Sequence, residues 1–221
     1  MAEEVPAEGA PRFVAVEGPI GVGKTSLARR LAASFGSDLL LEDPADNPFL
    51  QRFYSDPRGA ALPTQLSFLL QRVRQMEALA QGDLFAPVRV ADYLLDKDRL
   101  FAELTLDPTE LELYDRLAER LAAEAPRPDL VVYLQAPADT LVRRVEQRGR
   151  DYERPMGRDY LERLAEAYTR FFHAWDETPL LIVNAESLDF VNSEADYGLL
   201  LDQVRRVRAG RHYFNPAPLD L

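Results

Sequence analysis

An eight-residue segment near the start of the chain has the clearest chemical pattern. It reads Gly18-Pro-Ile-Gly-Val-Gly-Lys24-Thr25 and fits G-x-x-x-x-G-K-[ST], the pattern of a phosphate-binding loop, or P-loop. Glycines let backbone N–H groups turn toward phosphate oxygens, and the N-terminus of a following helix adds partial positive charge. Lys24 would reach the outer phosphates, and the Thr25 hydroxyl would face Mg²⁺. The predicted nucleoside triphosphate site consists of Gly18, Pro19, Ile20, Gly21, Val22, Gly23, Lys24, Thr25 and Ser26.

Three acidic residues stand at the ends of predicted strands: Glu17, Glu42 and Asp92. Ligands of parallel sheets bind at the carboxyl ends of the strands. A carboxylate at position 42 could there accept the proton of a hydroxyl that attacks the outermost phosphate. The alternative is a solvated carboxylate that opens a loop, and Asp43 takes its place if the register shifts by one residue.

A second set of polar residues follows at regular spacing. Gln65 and Arg72 are seven residues apart, which places them two turns apart on one face of a helix. A glutamine can bond to a base edge with two groups, and an arginine can donate to ring nitrogens or carbonyls. Tyr54 precedes them by eleven residues, and Phe68 lies between them as a candidate aromatic wall. Taken singly, the glutamine would more often be a surface residue and the phenylalanine a core residue.

An arginine cluster stands out in this acidic chain. Arg144 and Arg148 are four residues apart on one helical face, Gly149 ends the helix, and Arg150 lies in the loop that follows. This layout is typical of a lid whose arginines close over phosphates and stabilise charge during transfer. A solvated, basic helix end is the alternative, because cations are favourable there in any case.

The elements that must position these residues alternate between strand and helix. Five apolar strands separated by helices predict an α/β fold, a doubly wound parallel sheet in one domain. We expect a flexible leader over residues 1–11, the domain over 12–210 and an irregular tail over 211–221. The predicted strands cover 13–17, 39–42, 88–92, 129–135 and 179–184, and the predicted helices cover 25–35, 49–54, 64–80, 109–124, 138–147, 156–175 and 194–209.

Composition narrows the function classes. A net charge of −11 argues against non-specific binding of nucleic acid, because the phosphate backbone would repel the chain. No apolar run is long enough to span a membrane, so we expect no membrane partner. The absence of cysteine excludes disulfides and thiolate chemistry and fits a cytoplasmic protein. Only Lys24 and Lys97 are lysine among 26 basic residues, so each is a candidate for a position where arginine would not serve.

Together these motifs resemble the deoxynucleoside kinases over most of residues 12–192. The resemblance implies a P-loop kinase with a five-stranded parallel sheet flanked by helices and an arginine-rich lid. It implies that Glu42 is the general base for the sugar 5′-hydroxyl. It implies that Tyr54 and Glu153 bind the 3′-hydroxyl, with the lid arginines on the phosphates.

The same resemblance implies which residues contact the nucleoside base and which residue helps to bind the metal ion. Gln65 and Arg72 would contact the base, and Asp98 would pair with that arginine and fix its donors. An N-terminal carboxylate of a helix is the alternative for Asp98. Asp92 would help to place Mg²⁺. In related kinases, the loop that corresponds to Asp189-Phe190 wraps the adenine of ATP, although a plain loop fits here equally well.

The clearest departure from the family is at one position. Where these kinases have an acid followed by arginine and serine, this chain has Asp92 followed by Tyr93. One phosphate contact is therefore missing, and we expect another arginine to compensate. The pairing of Arg72 with Asp98 resembles the purine and deoxycytidine kinases more than the thymidine-preferring ones.

We therefore predict a deoxynucleoside 5′-kinase with ATP and Mg²⁺ as cofactors. The expected substrate is deoxyguanosine or deoxyadenosine, with deoxycytidine as a further candidate. A nucleoside monophosphate kinase is one rival, although residues 42–71 offer only Arg52 and Arg58 for an acceptor phosphate. A nucleotide sensor without turnover is another, but it would need neither Glu42 nor the lid. The resemblance also implies a homodimer, formed through the predicted helices 64–80 and 109–124.

Overall fold

The computed structural model describes residues 11–80, 88–122, 125–150, 153 and 157–215. The predicted leader lies almost wholly outside these residues. Within them, strands and helices alternate along the chain, as the apolar pattern predicts. The strands are β1 (Phe13–Glu17), β2 (Asp38–Leu40), β3 (Arg89–Ala91), β4 (Leu130–Gln135), β5 (Leu180–Asn184) and β6 (Arg211–Phe214). The helices are α1 (Lys24–Phe35), α2 (Leu50–Ser55), α3 (Pro57–Ala80), α4 (Lys97–Thr105), α5 (Pro108–Leu121), α6 (Ala138–Arg148), α7 (Arg158–His173) and α8 (Glu194–Arg206).

All strands pair in parallel in one sheet with the order β2-β3-β1-β4-β5-β6. The central strand β1 is buried along its whole length, as expected of a parallel strand covered on both faces. The α/β fold is therefore confirmed. The carboxyl ends of β1, β2 and β3 meet at one edge of the sheet, where the loop after β1 enters α1.

The predicted count of five strands is wrong, because β6 is a sixth. It pairs with β5 in the segment that was expected to be an irregular tail, with Leu180 opposite Arg211 and Val183 opposite Phe214. Its residues, Arg-His-Tyr-Phe, are half-exposed or exposed, as is typical of an edge strand. They form no apolar run, so periodicity alone could not identify the strand.

Two apolar layers cover the sheet. One contains α1 and α8, whose Leu27, Leu31 and Leu200 pack on inward-facing residues of β1, β4 and β5. The other contains α4 and α7, whose Leu100 and Phe172 pack on the opposite face. These layers fix the strand ends that carry the candidate site. No helix of the described residues is both long and apolar enough to cross a membrane.

Several element boundaries differ from those predicted. Helix α4 was not predicted, and α3 begins at Pro57, seven residues before Thr64, because the helix continues through Pro63. A proline removes one helical hydrogen bond and is therefore usually read as a boundary. Strand β2 is a short, half-buried edge strand that ends at Leu40, so Glu42 lies in the loop beyond it rather than at its last residue.

Candidate active site

The P-loop joins β1 to α1 and has the backbone that its glycines permit. Gly18, Gly21 and Gly23 all have positive φ angles, and Gly23 stands at the N-terminal boundary of α1. A Cβ atom at Gly18 would lie 2.4 Å from the carbonyl oxygen of Leu134 on β4, so no larger residue fits there. The loop therefore holds its amide groups at the carboxyl edge of the sheet, in front of a helix N-terminus.

A cleft of about 1050 Å³ opens in front of this loop. Gly18 and Pro19 are buried beneath the loop and do not line the cleft, whereas residues 20–26 do. The structure brings the other predicted site residues to the same cleft, although they come from seven different parts of the chain. They are Glu42, Tyr54, Gln65, Phe68, Arg72, Asp92, Asp98, Arg144, Arg148, Arg150, Glu153, Asp189 and Phe190.

Asp92 connects the P-loop to the loop after β2. One of its carboxylate oxygens accepts a 2.6 Å hydrogen bond from the Thr25 hydroxyl, and the other accepts a 2.7 Å bond from the backbone N–H of Glu42. Burial raises the pKa of Asp92, and the bond from Thr25 opposes that effect. A hydroxyl and a carboxylate are thus held together beside the phosphate loop, which is an oxygen-ligand pair suited to Mg²⁺.

The backbone around Glu42 is held from helix α3. Gln75 donates to the carbonyl of Leu41, and Gln71 donates to the carbonyl of Asp43, each at 3.1 Å. The side chain of Glu42 is 18% exposed and points into the cleft. The neighbouring Asp43 is exposed and accepts from the amide of Ala45 in the next turn. Both carboxylates line the cleft, and Glu42 is the less exposed of the two.

Positive charge surrounds the Glu42 carboxylate. Arg72 forms an ion pair with its Oε1, and the Lys97 Nζ lies 3.4 Å from its Oε2. Burial raises the pKa of Glu42, but the charges of Arg72, Lys97 and Lys24 outweigh burial and lower the pKa to about 2. The carboxylate is therefore ionised at neutral pH and can accept a hydrogen bond from a ligand hydroxyl.

Arg72 bridges two carboxylates. It is 4% exposed and pairs with Asp98 through one terminal nitrogen and with Glu42 through the other. The Phe68 ring lies 5.0 Å from the guanidinium carbon. Burial raises the pKa of Asp98 to about 6, although the charge of Arg72 opposes that effect. The predicted Arg72–Asp98 pair is therefore present, and the contact with Glu42 was not predicted.

Gln65 and Tyr54 lie farther along the same wall of the cleft. Gln65 is 5% exposed and donates to the Thr105 hydroxyl at 3.2 Å, so helix α4 orients its amide. Tyr54 packs edge-to-face on Phe53 at a centroid distance of 5.5 Å. The wall therefore combines an aromatic surface with amide and guanidinium donors.

The lid arginines have different partners. Arg144 donates to the carbonyls of Val22, in the P-loop, and Ala185, at 3.1 and 2.8 Å. Arg148 forms a two-bond fork with Glu153, and Arg150 lies 3.9 Å from the same carboxylate. Arg144 thus already contacts the P-loop, whereas the other two arginines lie beside the carboxylate of Glu153.

The loop after β5 closes one end of the cleft. Phe190 is buried against the P-loop, and a Cβ atom at Gly23 would lie 3.0 Å from its ring. Asp189 is exposed, and its carboxylate accepts from the backbone and side chain of Asn192. The aspartate therefore shapes its own loop.

Sequence reasoning assigned no role to two charged residues at the site. Glu17 is fully buried and accepts from the Gly18 N–H, the Leu94 N–H and the Tyr168 hydroxyl. Lys97 is 2% exposed and lies between Glu17 and Glu42. The signals available were the strand-end position of the glutamate and the rarity of lysine.

Tyr93 brings no charge to the site. Its side chain is 1% exposed and packs with Phe13 and Met76 in a separate apolar cluster. The residue at the position of the missing arginine is therefore a core residue in this chain.

Comparison with known proteins points to one family. The family model for deoxynucleoside kinase matches residues 14–208. The chain is 35% identical over 201 residues to the deoxyguanosine kinase of Bacillus subtilis (strain 168), with 88% of this chain and 97% of that protein covered. It is 32% identical over 205 residues to the deoxyguanosine kinase of Lactobacillus johnsonii (strain CNCM I-12250 / La1 / NCC 533), with 86% and 90% covered.

A solved structure has the same fold. The deoxyadenosine kinase from M. mycoides, with bound dATP, superposes with a TM-score of 0.76 at 22% identity, over 87% of this chain and 98% of that one. Fold, P-loop and family match agree across nearly the whole described domain. This chain belongs to the deoxynucleoside kinase family.

Proposed function

We propose that this kinase transfers the γ-phosphoryl group of ATP to the 5′-hydroxyl of a purine deoxynucleoside, with deoxyguanosine as the leading candidate. The observation that carries the proposal is the position of Glu42. Its ionised carboxylate faces the cleft beside the P-loop, and its backbone N–H is tied through Asp92 to Thr25. A proton acceptor thus lies next to the phosphate loop, as phosphoryl transfer to a hydroxyl requires.

The donor side of the reaction falls to the P-loop and the lid. Lys24 and the loop amides would hold the ATP phosphates, and Arg144, Arg148 and Arg150 would neutralise charge on the transferred group. Arg148 and Arg150 both line the cleft, and both lie beside the carboxylate of Glu153.

Mg²⁺ fits beside Thr25 and Asp92. One hydroxyl and one carboxylate are a small ligand set, and Mg²⁺ commonly completes such a set with waters and nucleotide phosphates. When bound, the ion would neutralise phosphate charge. The residues that would orient it are already joined by the 2.6 Å bond between Thr25 and Asp92.

The acceptor side would bind the nucleoside. Tyr54 and Glu153 would contact the 3′-hydroxyl, and Gln65 and Arg72 would contact the base, with Phe68 as an aromatic wall. Asp98 supports this role, because its pair with Arg72 fixes the donor pattern of the guanidinium. The deoxyguanosine kinase names of the two relatives are the reason to place deoxyguanosine before deoxyadenosine and deoxycytidine.

An acceptor panel tests the substrate. ATP consumption is measured with each of the four deoxynucleosides and with dAMP and dGMP as acceptors. We expect the highest kcat/KM with deoxyguanosine and none with the monophosphates. Arg52 and Arg58 are exposed and do not line the cleft, so neither offers a cation for an acceptor phosphate. Turnover only with monophosphates would contradict the proposal, and tight ATP binding without any turnover would indicate a sensor.

We further propose a homodimer through α3 and α5. Leu70 on α3 and Leu113 and Leu121 on α5 are 42%, 48% and 38% exposed, so both helices present large apolar side chains to solvent. Two such helices could bury these side chains against a second copy. Sedimentation should give twice the mass of the 25.0 kDa chain, and Leu113→Glu should shift it toward the monomer. A monomeric wild type would contradict this.

A cytoplasmic location is a proposal that rests on the cysteine-free composition.

A further inference from the structure

Lys97 is a buried cation to which neither the sequence motifs nor the proposed reaction assign a task. Its side chain is 2% exposed, and its Nζ lies 3.5 Å from Glu17 Oε2 and 3.4 Å from Glu42 Oε2. Burial alone would lower the pKa of Lys97, but the two carboxylates outweigh burial and raise the pKa. The lysine is therefore charged, and it joins a core carboxylate to a cleft carboxylate.

Glu17 gives this contact a rigid base. The glutamate is fully buried, and three hydrogen bonds of 2.7 to 2.9 Å fix both of its oxygens. One of those bonds comes from the N–H of Gly18, the first residue of the P-loop. A chain of contacts therefore runs from the phosphate loop through Glu17 and Lys97 to the carboxylate of Glu42.

Arg72 cannot replace this support. Arg72 also pairs with Glu42, but it lines the cleft and is the residue proposed to contact the base. Its donors are therefore shared with the substrate. Lys97 extends from the first residue of α4, and its second partner is the fixed Glu17, so its hold on Glu42 does not depend on the substrate.

Composition supports a specific need for lysine. The other 24 basic residues, apart from Lys24 and Lys97, are arginine. Both lysines line the cleft. A compact ammonium can sit between two carboxylates in a closed space, whereas a planar guanidinium is larger and directs its donors in a fixed fork.

We propose that Lys97 is a positioning residue that holds the Glu42 carboxylate at a set distance from the P-loop. It thereby aligns the acceptor hydroxyl with the donor phosphate. It also supplies the cation that Tyr93 does not, and from an element that the sequence motifs did not include. The inference rests on the proposed role of Glu42 as the proton acceptor.

A double-mutant cycle between Lys97 and Glu42 tests this role. Lys97→Met is expected to lower kcat about a hundredfold, because misplacing a reacting group by roughly 1 Å costs on that order. KM for ATP and for the deoxynucleoside should change little. In a Glu42→Gln background, Lys97→Met should have almost no further effect. Equal losses in both backgrounds would overturn the proposal, because the lysine would then act independently of Glu42.

Two further variants separate positioning from folding. Lys97→Met leaves the buried Glu17 without its cation, so the fold itself could weaken. The charge-matched pair Glu17→Gln with Lys97→Met should recover part of the thermal midpoint but not kcat, because the amide oxygen of glutamine can replace only one of the two carboxylate oxygens that accept backbone N–H groups. Recovery of kcat, or failure of both Met-containing proteins to fold, would show that the lysine only stabilises the core and would contradict the proposal. Arg170→Met, which removes a 70% exposed charge, is the control and should leave kcat unchanged.

The single variant Glu42→Gln distinguishes failure of the proton-acceptor role of Glu42 from failure of the positioning role of Lys97. If it retains full activity, the proton-acceptor role of Glu42 is wrong, whatever Lys97 does. If its kcat is strongly lowered but still measurable, and Lys97→Met gives equal losses in both backgrounds, only the positioning role fails. Lys97→Arg tests whether the size of the cation matters. It keeps the charge, and we expect it to retain less than a tenth of the wild-type kcat.

Discussion

Glu42→Gln is expected to lower kcat about a thousandfold, within the range of roughly 10² to 10⁴ for loss of a general base. The amide keeps the shape of the side chain but cannot take the proton of the attacking hydroxyl. It also cannot carry the charge that pairs with Arg72 and Lys97. At 25 °C, a thousandfold loss corresponds to about 4 kcal/mol of transition-state stabilisation. Steady-state kinetics with ATP and deoxyguanosine measure it.

Asp43→Asn is the matched control for this variant. It removes the adjacent carboxylate, which is exposed and accepts a hydrogen bond from the backbone N–H of Ala45. Most of the activity should remain. If the Asp43 variant lost activity and the Glu42 variant kept it, the proton acceptor would be the neighbouring residue. Binding of ATP should be almost equal in both proteins, because neither side chain belongs to the P-loop.

Lys24→Arg should lower kcat/KM by roughly a hundredfold to a thousandfold although it keeps the charge. The Lys24 Nζ lies within the P-loop, 2.6 Å from the carbonyl of Gly18 and 3.3 Å from that of Pro19. This position suits a compact ammonium, which can move onto the outer phosphates as a point charge. A guanidinium is wider and would have to displace the loop or leave it. The loss should appear in both ATP binding and kcat.

Two further variants serve as comparisons for Lys24→Arg: Lys24→Met removes the charge, and Arg170→Lys is a control at an exposed position. The methionine variant loses charge as well as shape and should be at least as impaired as Lys24→Arg. The exchange at Arg170, which is 70% exposed on α7, tests whether an arginine–lysine exchange has any general effect in this chain, and it should have none. Wild-type kinetics for Lys24→Arg would show that any cation at this position serves.

Local features of the fold could be predicted from the sequence. The P-loop residues are contiguous, so the pattern from Gly18 to Thr25 was sufficient to predict a strand, a glycine turn and a helix. The seven-residue spacing of Gln65 and Arg72 put both on one helical face, because helix geometry fixes that relation. The sixth strand, by contrast, forms where polar residues pair through backbone groups with the edge of β5, and no side-chain period marks it.

Contacts between segments that are distant in the sequence could not be predicted from the local pattern. That Arg72 pairs with Asp98 followed from family resemblance, but that it also reaches Glu42 did not. Both contacts depend on how α3 and α4 lie across the sheet. The burial of Tyr93 likewise depends on which way one side chain turns after β3.

The sequence by itself determined the phosphate loop, the α/β alternation and the residue types that reach the cleft. Only the tertiary structure decided how charges meet there: Glu17, Glu42 and Lys97 are separated by 25 and 55 residues along the chain, yet they form one row of contacts. Strand and helix preferences act over a few residues, so they can be detected in the local sequence pattern. The meeting of three charges depends on packing between elements, and no local pattern records it.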